Sequence, residues 1–547
     1  TGVSNTLSGG LAGEAPTDAD YNVAVGTSAL GADTLGSRSV AIGRASLTAQ
    51  NFTSATNAYN VGVGFNSGAS LTTGIENVII GGLAGNNITD ADFNVAVGTA
   101  ALSADTLGSR STALGYGTLG SQNFTSATNS YNVAVGHAAG SAVTTGVQNT
   151  LIGGLAGDAL RDADQNVAIG ASSLTTDTLG TGSVAIGYAA LNEQNFTTAT
   201  TTYNIAMGYK TGESVTVGIH NVIIGGTAGD ALTDADYNTV LGSNALSGDT
   251  LGSQSTAVGF NALATQNFTT ATNSFNTAVG YAAGLNVTTG IQNTLIGSLS
   301  GDALNTGRDN VAVGKGALGG GTDSQYNTAV GMIALGNADA GTSNTCMGYA
   351  AGANITGGEN TCIGVNAGDS LTSGTDNIII GVNADPSAVG GLHQIVIGTS
   401  VTGVGNSNFT FGDTGNDSNI AFGATSISAP SDQRYKEDIA DATAGLAFIK
   451  DLRPVTFKWK KEKDVPSDHP SYVEGSDTRV MNDYTNHGFI AQEVKTAIDA
   501  HSDIKDGFDM WSEQGSGGRQ RLGPSSLIPI LVKAIQELEA RIATLEG

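Results

Sequence analysis

The chain has 547 residues, more than one hydrophobic core usually holds, so several domains or an elongated repeat are expected. Its 79 Gly and 8 Pro show no Gly-X-Y period, which excludes a collagen. The net charge is −26, and residues 1–430 carry −21 of it, with 7 Lys+Arg against 28 Asp+Glu, which argues against nucleic acid and anionic membrane as partners. No apolar run approaches the roughly 18 residues of a membrane helix, so no membrane insertion is expected. Two Cys exclude a disulfide framework. No signal peptide is visible and Thr1 is not a Met, so an upstream attachment part is expected.

In chain order the first feature is a repeat. "TDADYNVAVGTSAL" at 17–30 returns in close variants from 89, 161 and 233, a spacing of 72. Each 72-residue unit holds four copies of Asn/Ser-x-x-aliphatic-Gly, in the first unit "NVAVG" (22–26), "SVAIG" (39–43), "NVGVG" (60–64) and "NVIIG" (77–81). The motif continues from 310 to 394 and closes with shorter steps at "NFTFG" (408) and "NIAFG" (419). Counted from 22, these make 24 coils of a β-solenoid.

The motif carries its own physics. Three β-favouring residues form a short strand, and Gly ends it where the backbone needs φ > 0. The leading Asn is expected to stack on the Asn of the next coil, amide to amide. Val23 and Val25 share one face, while the middle residue (Ala24, Ala41, Gly62, Ile79, Leu151, Cys346) takes the other. Both faces are apolar, and a one-layer coil has one interior, so the second face is expected to meet another chain.

These coils, "NVAVGxxAL" and "SVAIGxxAL", resemble the head repeats of trimeric autotransporter adhesins over residues 17–423. The resemblance implies a mostly β fold, a trimer of left-handed β-rolls side by side. At about 4.8 Å per coil the rod would be on the order of 110 Å long. Its coils of 17 and 21 residues exceed that family's commonest spacing, so different outer loops are expected.

The rod offers little chemistry of its own. The triplets Asp18–Asp20, Asp90–Asp92, Asp162–Asp164 and Asp234–Asp236 read as turns, with cation sites as the alternative; at four coils apart they cannot share an ion. Phe52, Phe124, Phe196 and Phe268, once per unit in the 21-residue coil, read either as a ligand-facing stripe or as rings tucked against the next coil. Cys346 and Cys362 hold equivalent middle positions of neighbouring coils, as small apolar filler or as a disulfide pair. "VGVGFNSG" lacks the GK[ST] of a phosphate loop, and the six His suggest no metal site. Neither cofactor nor metal is expected.

After "SAPSDQRYKEDI" (427–438) the sequence becomes charged and aromatic, which divides the chain into a fibre at 1–426 and a second domain at 427–547. Residues 441–452 predict a helix, 454–460 a strand, and 487–498 a strand running into a helix. Ile528, Leu531, Ile535, Leu538, Ile542 and Leu545 step by 3 and 4, a coiled-coil seam within 527–546. Ile at a and Leu at d favour two strands in isolation, which opposes a trimer.

Four elements coincide here: "SDQRYK" (431–436), a short helix before "LRPVTFKW", "GFIAQEV" (488–494) and "LIPILVKAIQEL" (527–538). Together they resemble the C-terminal intramolecular chaperone domain of bacteriophage tail spikes and fibres, the self-cleaving endosialidase type. The resemblance implies a small α+β domain that assembles a trimer and then cuts itself off with a Ser–Lys pair. It makes Ser431 the nucleophile, Lys436 the base and Pro430–Ser431 the scissile bond; by their chemistry Arg434 is expected to supply positive charge or hold the developing oxyanion, Asp432 to position the loop, and Gln492 and Glu493 to lend support. The chemistry is sound: a Ser hydroxyl needs an adjacent base, and a Lys serves when burial or positive charge lowers its pKa. The competing reading of "SDQRYKEDI" is a charged, capped helix start, since Ser and Asp are good N-caps.

The function expected from the whole is a homotrimeric viral tail fibre, located in the virion, that attaches to a host cell-surface glycan or protein receptor. It would meet other virion proteins through its upstream part. Its enzymology would be a single-turnover autoproteolysis. The alternatives are a cell-surface bacterial adhesin, against which no membrane anchor follows Leu545, and a glycan-degrading tailspike, which needs paired carboxylates in a cleft.

Overall fold

Each Asn/Ser-x-x-aliphatic-Gly stretch becomes a three-residue strand, and each strand pairs in parallel, in register, with the strand of the next coil. Val23, Ala24 and Val25 face Val40, Ala41 and Ile42, which in turn face Val61, Gly62 and Val63. The computed structural model describes residues 2–337, 339–505, 508–513 and 520–547. Two compact units result, Thr1–Pro430 and Ser431–Gly547.

The first unit is a β-solenoid around a 25-stranded sheet, all of it parallel except the last strand. The ends differ from the sequence reading. "NTLSG" (5–9) forms the first rung, with Thr6–Ser8 paired to Val23–Val25. "NIAFG" is not a coil: Asn416–Ala421 turns back antiparallel on Asn408–Asp413. Only Thr414 and Gly415 separate Asp413 from Asn416, a hairpin-length loop far too short to travel round a coil. The total of 24 parallel rungs survives because the two differences offset each other.

The interior takes the middle residue. Ala24, Ala41, Ile79, Leu151, Cys346 and Cys362 are fully buried, and leucines from the turns (Leu30, Leu47, Leu71) fill the remaining width. Burying one such leucine contributes roughly 1.5–3 kcal/mol. The flanking residues point outward and stay half open, Val25 at 38% and Ile42 at 40% exposed. An apolar strip therefore runs up the outside of the sheet. It is bordered by two columns: the residue before each motif Asn, and the residue after each motif Gly.

The leading column adopts φ near +60° throughout, including Tyr21, Arg38, Tyr59, Phe93, Arg110 and Tyr131. A bulky side chain in that region is unusual. At several of these positions the N–H is tied to the previous rung, Arg38 N–H to the Asp20 carbonyl at 2.9 Å and Arg110 N–H to the Asp92 carbonyl at 3.0 Å. The side chains stack: Arg38 lies over the rings of Tyr21 (5.3 Å) and Tyr59 (5.7 Å), and His220 stacks on Tyr237 at 5.1 Å. In the trailing column, Tyr188 stacks on Tyr209 at 5.6 Å and Phe260 on Tyr281 at 5.7 Å.

The Asn ladder forms amide to amide, as where Asn377 Nδ2 donates to Asn360 Oδ1 at 2.9 Å, and its amides also bond the backbone. Asn60 Oδ1 accepts the backbone N–H of Asn77 at 2.9 Å, and Asn60 Nδ2 donates to the Gly74 carbonyl at 2.8 Å. The amide-to-amide contact between the same residues is longer, 3.3 Å. Each amide thus fastens backbone to backbone, because the strand start leaves an N–H and a turn carbonyl within its reach.

The 21-residue coil encloses a buried carboxylate. Asp105 Oδ2 accepts from Gln122 Nε2 at 2.6 Å, and Oδ1 accepts the N–H groups of Gly108 (3.0 Å) and Phe124 (3.2 Å). Phe124 is 5% exposed, as are Phe52 and Phe268, so the once-per-unit rings are tucked and form no outward stripe. The Asp-Ala-Asp triplets are turns: Asp92 and Asp164 accept backbone N–H groups of the preceding rung, from Ile75 and Val147.

The second unit packs around Phe448, Val494, Ile498, Met510, Leu527 and Ile530. It contains α1 (Leu446–Asp451), α2 (Ala491–Ala500) and α3 (Leu527–Glu546), with the hairpin-like pairs Val455–Phe457/Asn486–Gly488 and Trp511–Glu513/Gln520–Leu522. Leu527, Ile530 and Ala534 of α3 face this core, while the expected seam is open, with Ile535 at 64% exposed.

Gly187 has φ +131° and would place a Cβ 2.1 Å from the Gly208 carbonyl oxygen, so Gly187→Ala should cost at least on the order of 1–3 kcal/mol. Gly10, with open space where a Cβ would stand, should accept Ala unchanged; thermal melts of both variants check this. Burial pushes the Asp105 and Asp177 carboxyls up, against the hydrogen bonds from Gln122 and Gln194. Their folded-state pKa lies above the unfolded one, so the folded chain binds more protons and their contribution to stability declines as pH rises through that window. Gln122→Ala should therefore cost about 1–3 kcal/mol at pH 7 and less at pH 4, read by urea melts at the two pH values.

Candidate functional site: the Ser431–Lys436 turn

Ser431 and Asp432 precede a single 3-10 turn, Gln433–Tyr435. Asp432 caps it, accepting the N–H of Arg434 at 2.9 Å. The guanidinium of Arg434 folds onto the same carboxylate, Nη2 to Oδ2 at 2.6 Å and Nε to Oδ2 at 3.0 Å. The Arg434 hydrogen bonds hold the Asp432 carboxyl below the usual range, and Asp432 raises Arg434 in return. At the other end the Lys436 N–H closes on the Gln433 carbonyl at 3.0 Å, and the backbone leaves the turn extended. The compact turn brings the Lys436 side chain back over its own start, where Nζ donates to Ser431 Oγ at 2.6 Å.

The capped-turn and nucleophile–base readings of "SDQRYK" thus share the segment. Asp432 does the capping, which leaves the Ser431 hydroxyl to Lys436. Arg434 is held by Asp432 and spans the turn.

The other two expected support residues open α2. Glu493 forms a two-pronged ion pair with Arg453, Nε to Oε2 at 2.9 Å and a second contact from Nη2 to Oε1. Gln492 gives its backbone carbonyl to Thr496 Oγ1 at 3.0 Å and lines a cleft of about 1150 Å³ with Trp459, His469 and Arg521. Among the described residues no hydrogen bond joins Gln492 or Glu493 to Ser431 or Lys436. Sequence reasoning missed Arg453, the Arg of "LRP", as the partner of Glu493. It also missed Glu537 of α3, whose Oε2 accepts the Leu446 N–H at 2.9 Å and so caps α1. A Cβ at Gly445 would sit 2.5 Å from the same carboxylate.

Elsewhere the chain brings titratable groups together without a comparable arrangement. Cys346 and Cys362 are adjacent in register, free and buried, and their contact together with burial raises the Cys362 thiol well above its usual value. Glu359 and Asp376 share a hydrogen bond on neighbouring rungs, which raises the first and helps to lower the second. Two carboxylates in direct contact lack the roughly 5 Å or more that glycoside hydrolysis requires between them. Among the described residues no group of His, Cys, Asp or Glu is placed to hold a metal ion, and no helix is long and apolar enough to cross a membrane.

One comparison with known families bears on the turn. Residues 431–503 match the family model described as chaperone of endosialidase. The match opens on Ser431, runs through the Ser431–Lys436 turn, α1 and α2, and includes no residue of the solenoid. A search of curated proteins finds no match.

Arg453 holds the Glu493 carboxyl below its usual range. Arg453→Gln should therefore raise the Glu493 titration midpoint, measured by carbonyl NMR, while the contact of Lys436 with Ser431 persists because no part of it passes through Arg453.

Proposed function

We propose that the chain is a homotrimeric fibre of the tail-fibre or tailspike kind, with a solenoid for contact with a host surface. The segment from Ser431 is a chaperone of trimer assembly that then cuts itself away at Pro430–Ser431. The observation that carries this reading is a coincidence at one residue: the chaperone-of-endosialidase match begins at Ser431, the residue whose hydroxyl receives the Lys436 amine at 2.6 Å. The chemistry follows from that pair. Ser431 Oγ attacks the carbonyl carbon of Pro430 as its proton passes to the Lys436 amine. The C–N bond then breaks, the Ser431 nitrogen takes a proton, and an ester links Pro430 to Ser431 Oγ. Water hydrolyses the ester, leaving a carboxylate on Pro430 and a free amino group on Ser431.

Lys436 acts as base only when uncharged. In one chain Ser431 and Lys436 are both open to water, so a neighbour covering the turn would exclude solvent from the reacting pair. Asp432 and Arg434 position the turn. Assembly is favoured by two exposed apolar surfaces: the outer strip of the solenoid, and the α3 seam of Ile528, Leu531, Ile535 and Leu538. Contiguous apolar surface of this extent on a soluble chain marks an interface. The partners are further copies of the chain, other virion proteins, and a glycan or protein receptor on the host.

Wild-type protein run on a denaturing gel with intact-mass analysis should give fragments 1–430 and 431–547, and Ser431→Ala should stay whole. A wild type that remains full length after assembly would remove the autoprotease from this reading. Light scattering should give three chains per particle.

A further inference from the structure

One turn position of the solenoid changes its residue between units while its backbone stays the same. "GLAGNN" (82–87) in the first unit returns as "GLAGDA" (154–159), "GTAGDA" (226–231) and "SLSGDA" (298–303), so Asp158, Asp230 and Asp302 stand where the first unit has Asn86. Leu83, Leu155, Thr227 and Leu299 share φ between 52° and 61°, and Gly85, Gly157, Gly229 and Gly301 share φ between 48° and 57°. One end of the Asn86 side chain faces only acceptors, which places its amide nitrogen there. It donates to the Ser103 carbonyl of the next rung at 2.9 Å and to the Leu83 carbonyl of its own turn at 3.1 Å. An ionised Asp in the same place has no proton to donate. Oδ1 of Asp158 and Oδ1 of Asp230 are sealed from water and have no hydrogen-bond partner. Oδ1 of Asp302 would stand 3.2 Å from a Cβ at Gly319, the next-rung residue equivalent to Ser103. By the 72-residue repeat, Asp158 meets the carbonyls of Thr175 and Leu155, and Asp230 those of Ser247 and Thr227. Among the described residues no backbone N–H donates to any of these four carbonyls.

A buried oxygen turned toward carbonyls is costly as an anion and satisfied as an acid. We propose that Asp158, Asp230 and Asp302 are proton-operated fasteners between rungs: each carboxyl, when protonated, donates to the carbonyl of the next rung as the Asn86 amide does, and ionisation undoes that bond. The ligand of each site is a proton taken from solvent. Burial is the leading influence on all three carboxyls and pushes them up. At Asp158 and Asp302 only the residue's own backbone N–H opposes it. Facing charges enter at Asp230, where Glu213 of the preceding rung raises the carboxyl and Lys210 lowers it, and those two are ion-paired at 3.0 Å. With the folded-state pKa above the unfolded one, the stabilisation is present in full below the unfolded value and is lost as pH rises through the folded value. The first unit, with Asn86, keeps its bond at every pH. The fasteners act within one chain, so they depend neither on assembly nor on cleavage at Pro430–Ser431.

The test uses the full chain carrying Asp158→Asn, Asp230→Asn and Asp302→Asn together, unfolded in guanidinium at pH 4 and pH 8 and followed by circular dichroism. At pH 8 the triple variant should unfold at least about fivefold more slowly than wild type, the factor that one recovered buried bond supplies. At pH 4 the two rates should agree. The buried carboxylates Asp105 and Asp177 are present in both proteins and cancel in the comparison. Asn86→Asp should do the reverse, speeding unfolding at pH 8 and leaving it unchanged at pH 4. Infrared spectra give a reading independent of unfolding: a protonated-carboxyl band that persists above the usual aspartate range in wild type should be weaker in the triple variant. A triple variant no slower than wild type at pH 8, an Asn86→Asp chain without the pH-dependent loss, or equal infrared bands overturns the proposal. Calcium or potassium chloride that slows unfolding of wild type at pH 8, but not of the triple variant, would make the ligand a metal cation and overturns it as well.

Discussion

The structure of the solenoid depends on how closely successive rungs approach at the end of each strand. At Gly26, Gly43, Gly64 and Gly81 the backbone turns with φ near +130°, and an added Cβ would come within 2.7 Å of the next glycine's carbonyl group. Only glycine tolerates both demands, so a glycine column runs the length of the sheet. With that column fixed, the strand is three residues long, the interior is narrow, and the middle residue is usually Ala. The flanking aliphatic residues are then forced outward, where one chain cannot bury them. The apolar outer strip therefore originates in a backbone constraint.

Much of this was legible in the sequence because the period was. Steps of 17 and 21 residues locate most of the rungs, though not the first at 5–9, and alternation across Val23, Ala24 and Val25 separates two faces. What alternation could not decide was which face is inside; the narrowness set by the glycines decides that. The bordering columns escaped notice because Tyr21 and Arg38 sit at φ near +60°, where sequence reasoning expects glycine or asparagine. Reading down the residues before each Asn and after each Gly would have found them. The last motif, "NIAFG", keeps the composition of a coil but has a loop of two residues before it, and loop length overrode composition.

The candidate site was legible for a different reason. Ser431, Asp432, Arg434 and Lys436 lie within six residues, and one capped turn is enough to fold Lys436 back onto Ser431. Long-range partners were not readable in this way. Arg453 with Glu493 and Leu446 with Glu537 join segments 40 and 91 residues apart, and only the packing of α1 against α2 and α3 brings them together. In-register stacking of near-identical rungs must choose among similar alignments, whereas the second unit has a non-repeating core with no such choice. The two units thus present different folding problems, and the second carries the exposed apolar seam of α3.

The antiparallel hairpin Asn408–Asp413/Asn416–Ala421 has a consequence for the fate of the rod. A stack of parallel rungs ends in a row of unpaired N–H and C=O groups, and such a row invites another rod to continue the stack. The returning strand occupies that row, and its own outer side is tied at Asn419 to Ser428. Every part of this stopper lies before Pro430. A rod released by cleavage at Pro430–Ser431 would keep it, so separation from the assembly unit would not expose a growing end to polymerisation.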